Sequence, residues 1–214
     1  MERKVRKGGV GMTERKDIFT IRRDLRRQQI LEFLLDRYGR DYIVEDYEDK
    51  NTKIWKIIRD NGTFDTVTHD IVDLDGDVEE TITVCKAISR PFVVESDGTK
   101  KWENKFDRLY NILDKARIEV GNFDVYLSTE DTILYNDVGF EVRCSFITLN
   151  AELKFRLGDV VDVEDFLSFT LNDFFDTVML DFLRRQFKPL KRLWKIVDEL
   201  SDYYSPKWGI YSPN

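Results

Sequence analysis

The sequence predicts an α+β fold, an antiparallel sheet (a meander plus a second strand group) packed by helices, with an extra C-terminal helix. Three observations predict it. Apolar residues recur at helical spacing near both ends of the chain, period-two alternation fills much of the middle, and Asn-Gly and Asp-Gly dipeptides separate the alternating runs. With 214 residues, 42% hydrophobic and 13% aromatic, there is apolar material for a real core and room for one compact domain with an appendage. The expected organisation is a flexible basic tail over 1–16, a single domain over 17–187, and a C-terminal helix with an aromatic tail over 188–214.

The tail expectation rests on Gly8-Gly9-Val10-Gly11, which has no periodicity; Met12 is a second candidate start. A first helix is expected from near Asp17 to Tyr38, because Ile30, Leu31, Leu34, Leu35 and Tyr38 follow helical spacing and Gly39 stands where a C-terminal stop belongs. Its first half reads as polar and basic. Strands follow around Tyr42–Val44, Thr52–Arg59, Phe64–Val72 and Val78–Ile88, joined at Glu48–Asn51, Asp60-Asn61-Gly62 and Asp75-Gly76-Asp77, as a four-stranded meander. A helix is expected along the stripe Trp102, Phe106, Leu109, Leu113, Ala116 and Val120, stopped by Gly121. Phe123, Val125 and Leu127 then alternate as a strand. The run Phe140–Leu157 changes phase, which predicts a turn or bulge near Thr148. A long helix is expected from Val163 to Gln186, capped by Asp162, with Val163, Phe166, Leu167, Thr170, Phe174, Phe175, Val178 and Phe182 on its apolar face. Pro189 breaks it, and a short helix carries Leu190, Leu193, Trp194, Val197 and Leu200.

The helix–strands–helix–strands–long helix order resembles the type III secretion chaperone-like fold, and within it the YbjN-like family, over Gln28 to Gln186. The resemblance is carried by Tyr110-Asn111-Ile112-Leu113 leading into Val120-Gly121-Asn122-Phe123, and by Leu153-Lys154-Phe155-Arg156-Leu157-Gly158 entering the helix at Val163. It implies a non-enzymatic, often dimeric protein that binds other polypeptides. The basic tail, the fourth meander strand and the helix after Pro189 depart from that pattern.

Charge is unevenly spread. Residues 1–27 hold ten Lys/Arg against four acids, whereas the other 187 hold 24 against 37. A second basic block, Arg184, Arg185, Lys188, Lys191, Arg192 and Lys195, follows an acidic stretch from Asp159 to Asp181. An acidic body with basic segments near both ends points to an interaction surface. No stretch has the length and apolarity of a membrane span, and Met1–Lys7 lacks the apolar core of a secretory signal. Cys85 and Cys144 as free thiols suit a reducing compartment, so the expected location is the cytoplasm, or a virion for a subunit of a viral particle.

Candidate chemistry is sparse. His69, the one histidine, lies in a strand on the side of Val67 and Ile71, and neither a G-x-S-x-G turn nor a cysteine at a helix start accompanies it. It reads as a structural histidine. Asp73–Glu80 is dense in carboxylates, but placing Gly76 at the sixth position of a calcium loop puts Ile71 at the first, so a solvated hairpin turn is expected. Asp137 with Glu152-Leu153-Lys154 loosely fits a magnesium nuclease, yet Glu152, Lys154 and Arg156 alternate with apolar residues as on any solvated sheet face. No catalytic residue, metal site or cofactor is expected.

The function expected is a non-catalytic protein-binding module, a chaperone-like adaptor or a structural subunit of an assembly. Its partner would be a protein with an acidic surface or a second copy, with no membrane involved. The residues expected to carry it are Arg22, Arg23, Arg26 and Arg27, the block Arg184, Arg185, Lys188, Lys191, Arg192 and Lys195, and the aromatic tail Tyr203, Tyr204, Trp208 and Tyr211. The alternatives are nucleic-acid binding through the basic helices, with steep salt dependence, and the magnesium nuclease.

Overall fold

The computed structural model describes residues 11–60, 63–74, 76–88, 92–95, 108–120, 123–135, 141–172, 175, 177, 181, 184, 185 and 191–196. Its first element, α1 (Gly11–Tyr38), starts six residues before the expected Asp17. Residues 12–16, Met-Thr-Glu-Arg-Lys, include four good helix formers and add about one and a half turns to the helix, within the segment expected as tail. At its other end Gly39 takes φ 82° and its N–H donates to the Leu35 carbonyl at 3.0 Å, as the Gly stop predicts.

A short 3₁₀ turn (Arg40–Tyr42) leads into β1 (Ile43–Glu48), β2 (Thr52–Ile58), β3 (Phe64–Leu74) and β4 (Asp77–Ala87). These four pair antiparallel with their sequence neighbours, which is the expected meander. β5 (Phe92–Glu95), β6 (Arg117–Val120), β7 (Phe123–Tyr135) and β8 (Glu141–Arg156) complete an eight-stranded antiparallel sheet of order β1-β2-β3-β4-β8-β7-β6, with β5 also on β8. β8 is the hub: β4 pairs with Thr148–Arg156 and β5 with Val142–Ser145, while β7 runs along Glu141–Leu153.

Because side chains alternate across a strand, the register defines two faces. Trp55, Val67, Val84, Ala151 and Val125 form one continuous row across five strands, each at most 1% exposed. The row beside it on the opposite face, Ile54, Thr68, Thr83, Glu152 and Asp124, is half-buried. The first face, with Ile30 and Leu34 of α1, Leu109 and Leu113 of α2 (108–113), and Phe166 and Leu167 of α3 (Val163–Thr170), makes up the hydrophobic core.

Three expectations are corrected. The helix expected to reach Val120 ends at 113, and Arg117–Val120 is β6, paired with β7 so that Val120 faces Phe123. Arg-Ile-Glu-Val alternates with β-branched residues, and the following Gly121-Asn122 is a hairpin dipeptide as readily as a helix stop. Second, β8 passes Thr148 without turn or bulge, in unbroken register with β7. Phe146 to Ala151 are all buried, so both faces are covered there and the alternation of hydrophobicity lapses without any slip of the strand. Third, the helix beginning at Val163 stops at Thr170, and helical conformation resumes at 175. The carbonyl of Leu171 accepts from Arg37 Nη2 and the Tyr38 hydroxyl, both at 3.4 Å, and that of Asn172 from Phe175 N–H at 3.0 Å. Carbonyls taken by α1 side chains and by i−3 contacts cannot continue the i−4 ladder. Asp162 caps α3 as expected, its Oδ1 accepting from Asp165 N–H at 2.9 Å. Residues 191–196 form the C-terminal helix, with Leu193 buried, and Phe174 lies outside the described residues. β5 was not foreseen, because four residues give too short an alternation to register.

Candidate docking surface

At 100° per residue, Arg23, Arg27, Ile30 and Leu34 share one arc of α1, and Ile18, Ile21 and Leu25 share the opposite arc. The two ends of the helix fill the inner arc differently. Ile30 and Leu34 are fully buried in the core. One and two turns earlier, arginines face the sheet.

They do so because acids stand beneath them. Arg27, only 6% exposed, donates from Nη1 to Glu48 Oε1 at 3.1 Å and to the Asp49 carbonyl at 3.0 Å. Glu48 Oε2 accepts from Lys53 at 2.7 Å, and Lys53 also donates to Glu45 at 2.9 Å. Arg26 Nε lies 3.4 Å from Glu80 Oε2, its Nη1 donates to Gln29 at 3.0 Å, and its guanidinium stands 5.2 Å over the Phe155 ring. Glu80 is buried in β4, and its Oε2 is also 3.4 Å from Nε2 of the fully buried His69. Arg23 donates to the Lys50 carbonyl at 3.0 Å and pairs with Asp24. Arg22 is exposed beside Gly158.

The electrostatics follow from this packing. Burial, with the Arg23 charge, lowers the Arg27 pKa against the pull of Glu48. Burial likewise pulls Lys53 down, but its hydrogen bonds with Glu48 and Glu45 outweigh it and the net shift is upward. The Lys53 hydrogen bond holds the Glu48 carboxyl below its ordinary range.

With the basic arc turned inward, an aliphatic arc is left outside. Ile18, Ile21 and Leu25 are 50%, 58% and 60% exposed, spaced i, i+3, i+7. Where this stripe starts, Ile18 and Phe19 line a groove of about 710 Å³ with Lys50, Val72 and Asp77 at the β1–β2 and β3–β4 hairpin ends and Leu157 just past β8. Val72 and Leu74 at that end are exposed too. The N-terminal half of α1, expected to be a basic face turned to a partner, therefore presents aliphatic residues outward. The signal was available in the 3–4 spacing of Ile18, Ile21 and Leu25, inside a segment whose charge drew attention first.

Of the other expected site residues, five are described, all within 184–195. Arg184, Arg185, Lys191, Arg192 and Lys195 are exposed, with Arg184 paired to Asp181 at 3.7 Å and stacked 4.8 Å over Trp194. Lys188, Tyr203, Tyr204, Trp208 and Tyr211 lie outside the described residues. His69 shares the inner face with Val67 and Ile71, as read from the sequence. Glu152 accepts the Tyr126 hydroxyl and lies 3.7 Å from Lys154, while Asp137 is outside the described residues. The Asp73 carboxylate caps its own hairpin by accepting from Gly76 N–H at 2.9 Å. Among the described residues no group of three His, Cys, Asp or Glu side chains is placed to hold a metal, and no helix is long and apolar enough to cross a membrane. No family model, curated protein or solved structure matches this chain.

Proposed function

We propose that this chain is a non-catalytic protein-binding module, an adaptor or structural subunit of a larger assembly, and that it engages protein through the outward arc of α1. One observation carries the reading: three aliphatic residues on successive turns stand half or more in water, opposite a basic arc spent on the chain's own acids. Scattered exposed aliphatics are ordinary, but a contiguous stripe beside a groove marks an interaction surface. The exposed cations Arg184, Arg185, Lys191, Arg192 and Lys195 add a second contact suited to an acidic rim on the partner.

The test is a pull-down of tagged protein from its source, with and without nuclease, comparing the parent with Ile21→Asp/Leu25→Asp. A stoichiometric protein that survives nuclease and is lost from the variant supports the reading. Capture that disappears with nuclease and follows Arg184→Glu/Arg185→Glu instead would replace it with nucleic-acid binding, whose salt dependence would be steep.

A further inference from the structure

We infer that the groove beside the start of α1 is a binding site for a free, single-chain aliphatic carboxylate, a fatty acid in solution. The site takes a small molecule and does not depend on the docking reading above, whose Ile21 and Leu25 lie outside the groove lining.

The groove crosses the ends of four neighbouring strands, β2, β3, β4 and β8. Ile71 N–H donates to the Asn51 carbonyl at 3.0 Å, Asp73 pairs with Val78, and Leu157 N–H donates to the Val78 carbonyl at 2.8 Å. Three strand intervals give it a length of about 14 Å. Its volume of about 710 Å³ falls in the range of small-molecule sites. Polarity changes along this length. Lys50 and Asn51 make the β1–β2 end polar, whereas Val78 and Leu157 make the β4–β8 end aliphatic, with Ile18 and Phe19 along the helix wall.

Of the charged lining groups, Asp73 accepts from Gly76 N–H at 2.9 Å and Asp77 pairs with Arg156 at 3.6 Å. Lys50 uses only its carbonyl, which accepts from Arg23. Its ammonium is the charged lining group with no partner among the described residues, and the Asn51 side-chain amide next to it in the chain is a second unpartnered donor. A ligand that matches both ends has an anionic head for Lys50 and an aliphatic chain for Val78 and Leu157. An uncharged lipid would leave Lys50 without a counter-charge, and a short polar anion would leave the aliphatic end in water.

Isothermal titration of the full chain with dodecanoate, kept below micelle formation, tests the site. Saturable one-to-one binding is expected. Across dodecanoate, decanoate and octanoate, each methylene removed should weaken binding by about two- to fourfold, fourfold being the value for complete burial. Lys50→Glu, at an exposed turn, should weaken dodecanoate by about tenfold or more with an unchanged Tm. Val72→Asp, at a half-exposed lining position, should do the same from the apolar side. Dodecyltrimethylammonium bound as tightly as dodecanoate, or full dodecanoate affinity in Lys50→Glu, overturns the assigned head group. No saturable binding of dodecanoate, or capture only by phosphatidylglycerol vesicles, overturns the site. Ile21→Asp/Leu25→Asp should bind dodecanoate as the parent does, so loss of the docking surface and loss of this site are told apart.

Discussion

Replacing Arg26 with Met tests why α1 lies on the sheet as it does. Met keeps an unbranched stem over the Phe155 ring and removes the charge that faces Glu80 at 3.4 Å. The Arg26 side chain is 18% exposed and that of Glu80 2%, so the pair sits close to the buried limit, where losing one partner strands the other charge. The expected loss is about 3 kcal/mol, the lower end of the range for broken buried pairs, because Arg26 keeps some contact with water. For a chain of this size that lowers Tm by roughly 6–12 °C. Glu80→Leu alone should lose less, since Arg26 can turn to solvent through the cleft it lines with Arg22 and Gln29. The double variant Arg26→Met/Glu80→Leu sets apolar groups among Ile71 and Phe155, which flank Glu80 in the sheet, and should come within about 1 kcal/mol of the parent. Urea denaturation of all four proteins closes the cycle. Additive losses, with no coupling between positions 26 and 80, would refute the inward placement of the arginine arc. The outward placement of Ile21 and Leu25 would fall with it.

Three further outcomes are expected. Asp162→Ala removes the cap accepted from Asp165 N–H and should lose about 1 kcal/mol, mostly regained by Asp162→Ser, as read by thermal melting. Gly158→Ala should lose about 1–2 kcal/mol, because φ is +111° there and the new Cβ would sit 2.8 Å from Arg22 Nη1, a flexible end that can move while the backbone strain remains. Acid should unfold the chain partly through the β1–β2 end. Lys53 holds Glu48, and the Thr52 N–H holds Asp49, below their ordinary values, so this contribution is whole above the unfolded carboxylate range near pH 4 and is lost as pH falls through the folded values. Lys53→Met should flatten that acid limb in a pH series of melts, whereas an unchanged limb would remove Lys53 from its cause. Asp65 carries the opposite sign, since burial pushes its carboxyl up and its contribution weakens as pH rises.

Local pattern revealed the meander and the end of α1 because each is decided within one element or hairpin. Trp55, Val67 and Val84 alternate in their own strands before any pairing is known. What sequence could not decide was settled by partners distant in the chain. Burial of both faces over Phe146–Ala151 depends on strands β4 and β7, and the stop at Thr170 on Arg37 and Tyr38, more than 130 residues away.

The orientation of α1 is the sharpest case. Its N-terminal half has an arginine arc and an aliphatic arc, and the sequence alone does not choose which faces the sheet. Hydrophobicity alone would bury Ile18, Ile21 and Leu25. Leaving half or more of each in water forgoes roughly 3–4 kcal/mol of the apolar transfer that full burial of three such side chains would bring. Glu48 and Glu80 decide otherwise: with the helix rotated, Glu80 would be buried against aliphatics with no cation from α1, a penalty of several kcal/mol for one ion alone. The acids of β1 and β4 therefore turn the arginines in, and the unspent apolar stabilisation stays on the outer arc.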